Sequence, residues 1–205
     1  MATPPAYRIL TPRLCLRCWE PADAPRLVES ITASLEHLRP SMLWAADEPQ
    51  SVDDKAQLLR RFRGLFDLGQ DFIYGVFDRD ERTVIGGSGL HPRVFEGGRE
   101  IGYWIDARQT RRGYATEVTA ALTKVGFEVD KLLRVEVHVD SRNLASAGVP
   151  PKLGFQHEAT LPGRVKTPAG LGDRMIFGLH AADYPSSPAG ALEVEAFDAR
   201  GERLL

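Results

Sequence analysis

Arg111-Arg112-Gly113-Tyr114-Ala115-Thr116-Glu117 is the stretch whose reading decides the fold. It follows the apolar run Glu100-Ile101-Gly102-Tyr103-Trp104-Ile105 and opens a stripe at Val118, Ala121, Leu122, Val125 and Val129. The run reads as a strand, and the stripe, spaced i, i+3/i+4, reads as a helix. A glycine turn between a strand and a helix start leaves backbone N–H groups unpaired and pointing outward. The helix dipole adds positive potential there, so the segment predicts a cradle for a phosphate or pyrophosphate. Gly113 permits close backbone approach, and Ala115 keeps the next position small. Two nucleotide motifs are excluded: no Lys-Ser/Thr follows Gly113 as a Walker loop requires, and a dinucleotide fingerprint needs three spaced glycines.

A second block lies further on. Arg134-Val135-Glu136-Val137-His138-Val139-Asp140 alternates apolar and polar residues as a strand does. Asn143-Leu144-Ala145-Ser146 follows and leads to Lys152-Leu153-Gly154-Phe155. Together the two blocks resemble the GNAT superfamily of acyl-CoA-dependent N-acetyltransferases. Thr110-Arg111-Arg112-Gly113-Tyr114-Ala115 fills the family's Gln/Arg-x-x-Gly-x-Gly/Ala loop, with Thr110 where Gln or Arg is usual. Asn143, Gly154 and Phe155 match the family's next strand–helix unit. Four stretches are similar to the RimJ/RimL-like branch of ribosomal-protein serine and alanine N-acetyltransferases. These are Leu10-Thr11-Pro12-Arg13-Leu14-Cys15-Leu16-Arg17, Ser34 to Pro40 with Trp44 after it, Glu100 to Ile105, and Gly113 to Glu117.

The resemblance implies an α+β GNAT fold: one mixed, mostly antiparallel twisted sheet flanked by helices, with acetyl-CoA at the splay between two central strands. It implies transfer of an acetyl group to a primary amine by direct attack, with acetyl-CoA as co-substrate and no metal. Arg111, Arg112, Gly113, Tyr114, Ala115 and Thr116 would hold the pyrophosphate. Backbone N–H groups at the Tyr103, Trp104 and Ile105 end would meet the thioester, and Asn143 the pantetheine arm. Many family members carry a Tyr seven residues after that Asn, but Pro150 stands there and Pro151 follows. Ser146 is the alternative donor for the leaving thiolate. Glu100 is the first candidate base, with His138 and His37 behind it and a water wire as a further option. A serine in a first helical turn also bonds to backbone, and a strand-start carboxylate is often a surface group.

Three functional readings follow. The first is acetylation of an amine such as a protein N-terminus. The second is acetylation of a small molecule, an antibiotic or aminoacyl compound. The third, of another class, is a GNAT-fold module that binds CoA without catalysis. Acceptor choice is expected from the loop 39–50, where Asp47 and Glu48 would favour a cationic amine, and from 160–173.

The net charge of −2 over 205 residues gives no basic field for nucleic acid or an anionic membrane. No apolar run is long enough to span a bilayer. Met1-Ala2-Thr3-Pro4-Pro5 lacks the features of a secretory signal, so a cytoplasmic location is expected, as monomer or homodimer. Cys15 and Cys18 form a C-x-x-C pair with no second pair to complete a zinc site. Their spacing in a strand points them to opposite faces.

The remaining pattern predicts a strand near Arg13–Trp19 and a helix starting at Pro21-Ala22-Asp23, with Leu27, Val28, Ile31, Leu35 and Leu38 on one face. A helix capped by Ser51 and Asp54 follows, through Leu58, Leu59, Phe62, Leu65 and Phe66 to Gly69. A hairpin joins Phe72–Phe77 to Val84–Leu90, and a final strand lies near Met175–Leu179. Pro150 and Pro151 break the helix after Asn143 early. The domain is placed at 8–182, with 183–205 as a C-terminal tail that is either flexible or loosely docked.

Overall fold

The computed structural model describes residues 4–167 and 170–205. Met1-Ala2-Thr3, read above for a signal, and Pro168-Ala169, within the expected acceptor segment, lie outside the described residues. The strands are β1 Arg8–Leu10, β2 Leu14–Cys18, β3 Phe72–Asp78, β4 Val84–Phe95, β5 Gly98–Ile105, β6 Arg134–Asp140, β7 Gln156–Thr167, β8 Gly170–His180 and β9 Glu195–Phe197. The α-helices are α1 Ala24–Leu38, α2 Val52–Asp67, α3 Tyr114–Glu128 and the single turn α4 Leu144–Ala147. The strands form one sheet in the order β7-β8-β6-β5-β4-β3-β2-β1-β9. Every neighbouring pair is antiparallel except β5 and β6, which run parallel.

Alternation along the strands builds two cores. Leu14, Leu16, Tyr74, Val76, Leu90, Ile101, Val135 and Val137 face α3 and bury Val118, Ala121, Leu122 and Val125. Cys15, Trp19, Phe77 and Val84 face the other way, against Leu27 and Ile31 of α1 and Leu59 of α2. Each such side chain contributes about 1.5–3 kcal/mol by leaving water. Cys18 belongs to the first core and Cys15 to the second, as their spacing predicts. Burial raises both thiols to about 12, so neither ionises near neutrality.

The helix ends follow the expected chemistry. The Ser51 hydroxyl accepts the Asp54 N–H at 3.1 Å, and α2 stops before Gly69, whose φ is +67°. The helix after Asn143 ends at Ala147, and Pro150–Leu153 continues as a 3-10 turn.

Three strands depart from the expected layout. β1 and β9 are three residues each, too short to show a period. β7 is nearly all exposed and carries Pro162 and Gly163 inside its second register shift, between Leu161 and Val165, the marks of an edge strand rather than of an alternating core strand. The residues after 182 add to the sheet. Ala196 and Glu195 of β9 pair with Ile9 and Leu10, and Ala189, Val194 and Ala196 are buried. Small apolar residues spaced among polar ones are enough to cover the β1 edge.

Asp106, at the end of β5, ties the sheet to α1. It accepts from the Ser30 hydroxyl at 2.7 Å and from Arg108 Nη2 at 2.8 Å. Burial pushes its carboxyl upward, but the bonds from Arg108 and Ser30 outweigh that and hold it below the usual carboxylate range. A depressed folded value stabilises above the unfolded one, about 3.9, and the contribution is lost as pH falls through the folded value. Asp106→Asn is therefore expected to lower the melting temperature at neutral pH and to shrink its fall on acidification. Parallel melting curves of both proteins down to about pH 3 check this, and equal acid slopes would contradict it.

Candidate active site

The turn before α3 has the geometry expected of an anion cradle. Gly113 is its N-cap at φ +81°, and Arg111 is also left-handed at φ +60°. The first intrahelical bond runs from the Glu117 N–H to the Gly113 carbonyl at 3.0 Å, so the N–H groups of Tyr114, Ala115 and Thr116 have no partner within the helix. Arg111, Arg112 and Gly113 are exposed, and Tyr114, Ala115 and Thr116 are half-buried. The Thr110 hydroxyl turns inward to the Ala107 carbonyl at 3.1 Å.

A clamp that the sequence analysis did not identify holds this turn in shape. Glu117 is buried in the first turn of α3. It accepts from the Thr11 hydroxyl at 2.5 Å and from Arg13 Nε at 2.6 Å. Arg13 also donates to the Arg112 carbonyl at 2.9 Å and lies over the Tyr114 ring, 4.7 Å from its centroid. Thr11, Arg13 and Glu117 had entered only as points of family likeness. Nothing in their spacing signals contact across more than a hundred residues.

The second feature is a fork in the sheet. β5 and β6 pair only at Gly98 with Arg134, Arg99 with Val135 and Glu100 with Glu136. Beyond Glu100 the strands part, while β5 stays paired to β4 and β6 to β8. The open edge thus begins at Ile101, earlier than the expected Tyr103–Ile105 end. A cavity of about 940 Å³ passes through this fork. Glu100, Ile101, Gly102, Tyr103 and Trp104 line it from β5, and Val137, His138, Val139 and Asp140 from β6. Its outer walls come from α1, α2 and the loop between them, including Leu27, Ile31, Trp44 and Phe62.

Alternation splits the expected β5 residues. Tyr103 packs with the α3 core, whereas Trp104 packs with the α1/α2 core. The Trp104 indole lies over Gly87, where a β-carbon would come within 2.5 Å of Nε1, and it meets Trp44 edge-on at 6.0 Å. The Ile105 side chain is buried. The side chains of Trp104 and Ile105 therefore do not join the α3 cradle.

Tyr103 reaches the turn after β6. Its hydroxyl lies 3.0 Å from Ser146 Oγ and donates to the Ser146 carbonyl at 3.2 Å. Burial raises this phenol to about 12, against a smaller opposing effect of the Ser146 bond. Asn143 caps α4, its Oδ1 accepting the Ser146 N–H at 3.1 Å, and its Nδ2 donates to Ser41 Oγ at 3.3 Å. Ser146 and Asn143 both line the cavity.

Glu100 sits where the strands part, with His138 Nδ1 3.4 Å from its Oε2. Opposite Glu100 on β4 stands His91, bonded through Nδ1 to Asp71 Oδ1 at 2.6 Å. Burial pushes the Asp71 carboxyl up, but the His91 bond outweighs it and the carboxyl sits below its ordinary range. His37 is not among the cavity-lining residues.

The expected acidic attraction from Asp47 and Glu48 is only half present. Glu48 is buried against the Lys55 ammonium, and its Oε2 accepts the Gln50 N–H at 3.0 Å. Its charge is compensated inside the loop, so it exerts little field on an incoming amine. Asp47 remains at the cavity wall.

The acetyltransferase (GNAT) domain family matches residues 13–156. The chain belongs to that family. Among its relatives, the uncharacterized N-acetyltransferase YoaA of Bacillus subtilis (strain 168) is 30% identical over 152 residues, spanning 74% of this chain and 84% of that protein. The uncharacterized N-acetyltransferase p20 of Bacillus licheniformis is 31% identical over 134 residues, 65% of this chain and 75% of that one. In fold, the chain superposes on Mycobacterium smegmatis RimJ, solved with a CoA-disulfide, with a TM-score of 0.78 over 90% of each chain at 22% identity. It also matches the microcin C7 self-immunity acetyltransferase MccE, solved with acetyl-CoA and AMP, at a TM-score of 0.76 and 16% identity, over 82% of this chain and 93% of that one. The chain is thus an acetyltransferase of the GNAT fold. Among the described residues no helix is long and apolar enough to cross a membrane.

Removing the clamp has a measurable consequence. Glu117→Ala removes the carboxylate that accepts from Arg13 Nε and from the Thr11 hydroxyl. It is expected to lower the unfolding free energy by about 1.5–3 kcal/mol, the range for a hydrogen bond to a charged group. Denaturant titration measures this, and an unchanged midpoint would show that the clamp contributes nothing.

Proposed function

We propose that this protein transfers the acetyl group of acetyl-CoA to a primary amine by direct attack, and that the acceptor is a protein N-terminal amine. The observation that carries the reading is the conjunction of a helix-start anion cradle with a parallel fork leading into a cavity. The Arg111–Thr116 turn would bind the pyrophosphate through backbone N–H groups, with Gly113 leaving it room: a β-carbon there meets only Arg13 Nη2 within 4 Å, at 3.5 Å. The pantetheine amides would pair with the open β5 edge, as an added strand does. Acetyl-CoA supplies the activated thioester.

In this reading the roles are divided by the fork. On the cavity side Glu100, with His138 beside it, would receive the amine and its proton. Ser146, backed by the Tyr103 hydroxyl, would return a proton to the thiolate. The Tyr103 phenol thus supplies a hydroxyl beside Ser146 in a chain that has Pro150 where many family members carry a tyrosine. For the acceptor, the RimJ-like fold and the open cavity favour a chain end over a fully enclosed small molecule.

The test is CoA-thiol release with a panel of peptide and small-molecule amines, with mass spectrometry of the product. Peptides with a free N-terminus are expected to outrun N-terminally blocked ones, and equal rates would contradict the acceptor assignment. Ser146→Ala is expected to lower kcat on the order of a hundredfold while CoA affinity by calorimetry stays within about twofold. Gly113→Val does the reverse: a branched side chain cannot sit at φ +81° without strain, so the cradle distorts and CoA affinity falls. Unchanged CoA affinity in Gly113→Val would remove the cradle from the mechanism.

A further inference from the structure

We propose that His138, oriented by Glu136, is the group that takes the proton from the acceptor ammonium, with Glu100 as its partner across the fork. This rests on the acetyl-transfer reading and changes which atom does the chemistry.

Glu136 and His138 lie two residues apart on β6 and share a face. His138 Nε2 is 2.6 Å from Glu136 Oε2. The other oxygen, Glu136 Oε1, accepts from Arg134 Nε at 2.7 Å, and Arg134 in turn grips Glu158 through both Nη atoms. A carboxylate bound to a guanidinium stays ionised and only accepts. The imidazole must therefore carry its proton on Nε2, which leaves Nδ1 as a bare lone pair. Nδ1 is buried and has no hydrogen-bond partner among the described residues. It faces the Glu100 carboxylate at 3.4 Å, lone pair toward lone pair, on the wall of the cavity. Such an orphaned buried acceptor calls for a donor, and an ammonium seated between the two groups supplies one to each. Imidazole is also a stronger base than carboxylate, at about 6.5 against about 4.3 in isolation.

Carboxylates stand on both sides of the imidazole. Glu100 faces His138 from β5, and behind it stands the His91–Asp71 pair, with Arg93 3.6 Å from Asp71. On β6 itself Glu136 is bound by Arg134, and Asp140 by Arg142. β8 presents Ile176 opposite His138, with Arg174 opposite Asp140. Asn143 and Ser146 at α4 are uncharged, and the α2 wall carries Asp54, Arg61 and the Glu48–Lys55 pair. The two groups nearest the imidazole are thus both carboxylates.

The step balances. The ammonium gives one proton to Nδ1, and its freed electron pair forms the N–C bond. The C–S bond breaks with its pair on sulfur, which takes one proton. The imidazolium passes that first proton to water, and the second proton lost by the nitrogen balances the one that sulfur takes up.

His138→Gln and His138→Asn are compared with Glu136→Gln and wild type. In the His138 variants kcat is expected to fall on the order of a hundredfold, with CoA affinity by calorimetry within about twofold. Their rate should rise with hydroxide without a plateau. Glu136→Gln, a positioning change, should shift the rising limb of kcat/KM to lower pH, because one carboxylate favouring the imidazolium is gone. Nitrogen NMR of the wild-type imidazole, which needs no activity, should show Nε2 protonated and Nδ1 bare. An Nδ1–H tautomer overturns the proposal, as does turnover within about twofold of wild type in His138→Gln. If the wild type transfers acetyl to no amine, the transfer reading falls and this inference with it; if it transfers and His138→Gln is unaffected, only the proton acceptor is wrong.

Discussion

The parting of β5 from β6 after Glu100 is the constraint on which the rest depends. Each strand is held on its outer edge by an antiparallel neighbour, β4 or β8, and these pairings continue where the parallel one stops. The sheet is thus cut open at its centre without losing either half. A strand edge with unpaired N–H and C=O groups is costly in an interior, and a fork is tolerated where something extended can complete it. The same cut lets one cavity reach both faces, so that Tyr103 on the α3 side and Glu100 and His138 on the other border a single space. Opening the sheet and assembling the polar groups are one structural event.

The α3 cradle needs a different kind of support. A left-handed Gly113 and a left-handed Arg111 make a turn with few contacts of its own. Thr11, Arg13 and Glu117 fasten it to the start of β2, so the N–H groups are aimed before a ligand arrives. Asp106 does the same at the end of β5, through Ser30 of α1. Ordering these loops in advance reduces the entropy that binding would otherwise have to supply. Both anchors are carboxylates, buried in a chain whose charges are otherwise mostly on the surface.

Local signals carried most of the fold. The stripe after Gly113, the Ser51 cap and the Phe72–Leu90 hairpin were legible because each is set by residues within a few positions. β7 was not, because its Pro162 and Gly163 break the alternation and neither face is buried. β1 and β9 were not, because three residues define no period. In the site, residue types were visible but their partners were not. His138 was a candidate by residue type, and the register of Glu100 with Glu136 is what sets it on the cavity side. Glu48 read as a charge at the cleft, but its neutralisation by Lys55 is a tertiary fact. The Pro150 that removes the usual tyrosine was plain, whereas the phenol of Tyr103 reaches Ser146 from a strand more than forty residues away.

The most direct test of the account is backbone amide NMR of the protein titrated with CoA. The account predicts the largest shifts at Arg111–Thr116 and at Ile101–Tyr103, the cradle and the open edge of the fork, with small changes on β1, β9 and the outer face of α2. Shifts centred elsewhere, or none at saturating CoA, would contradict the assignment of the fork as the place where the acyl donor binds.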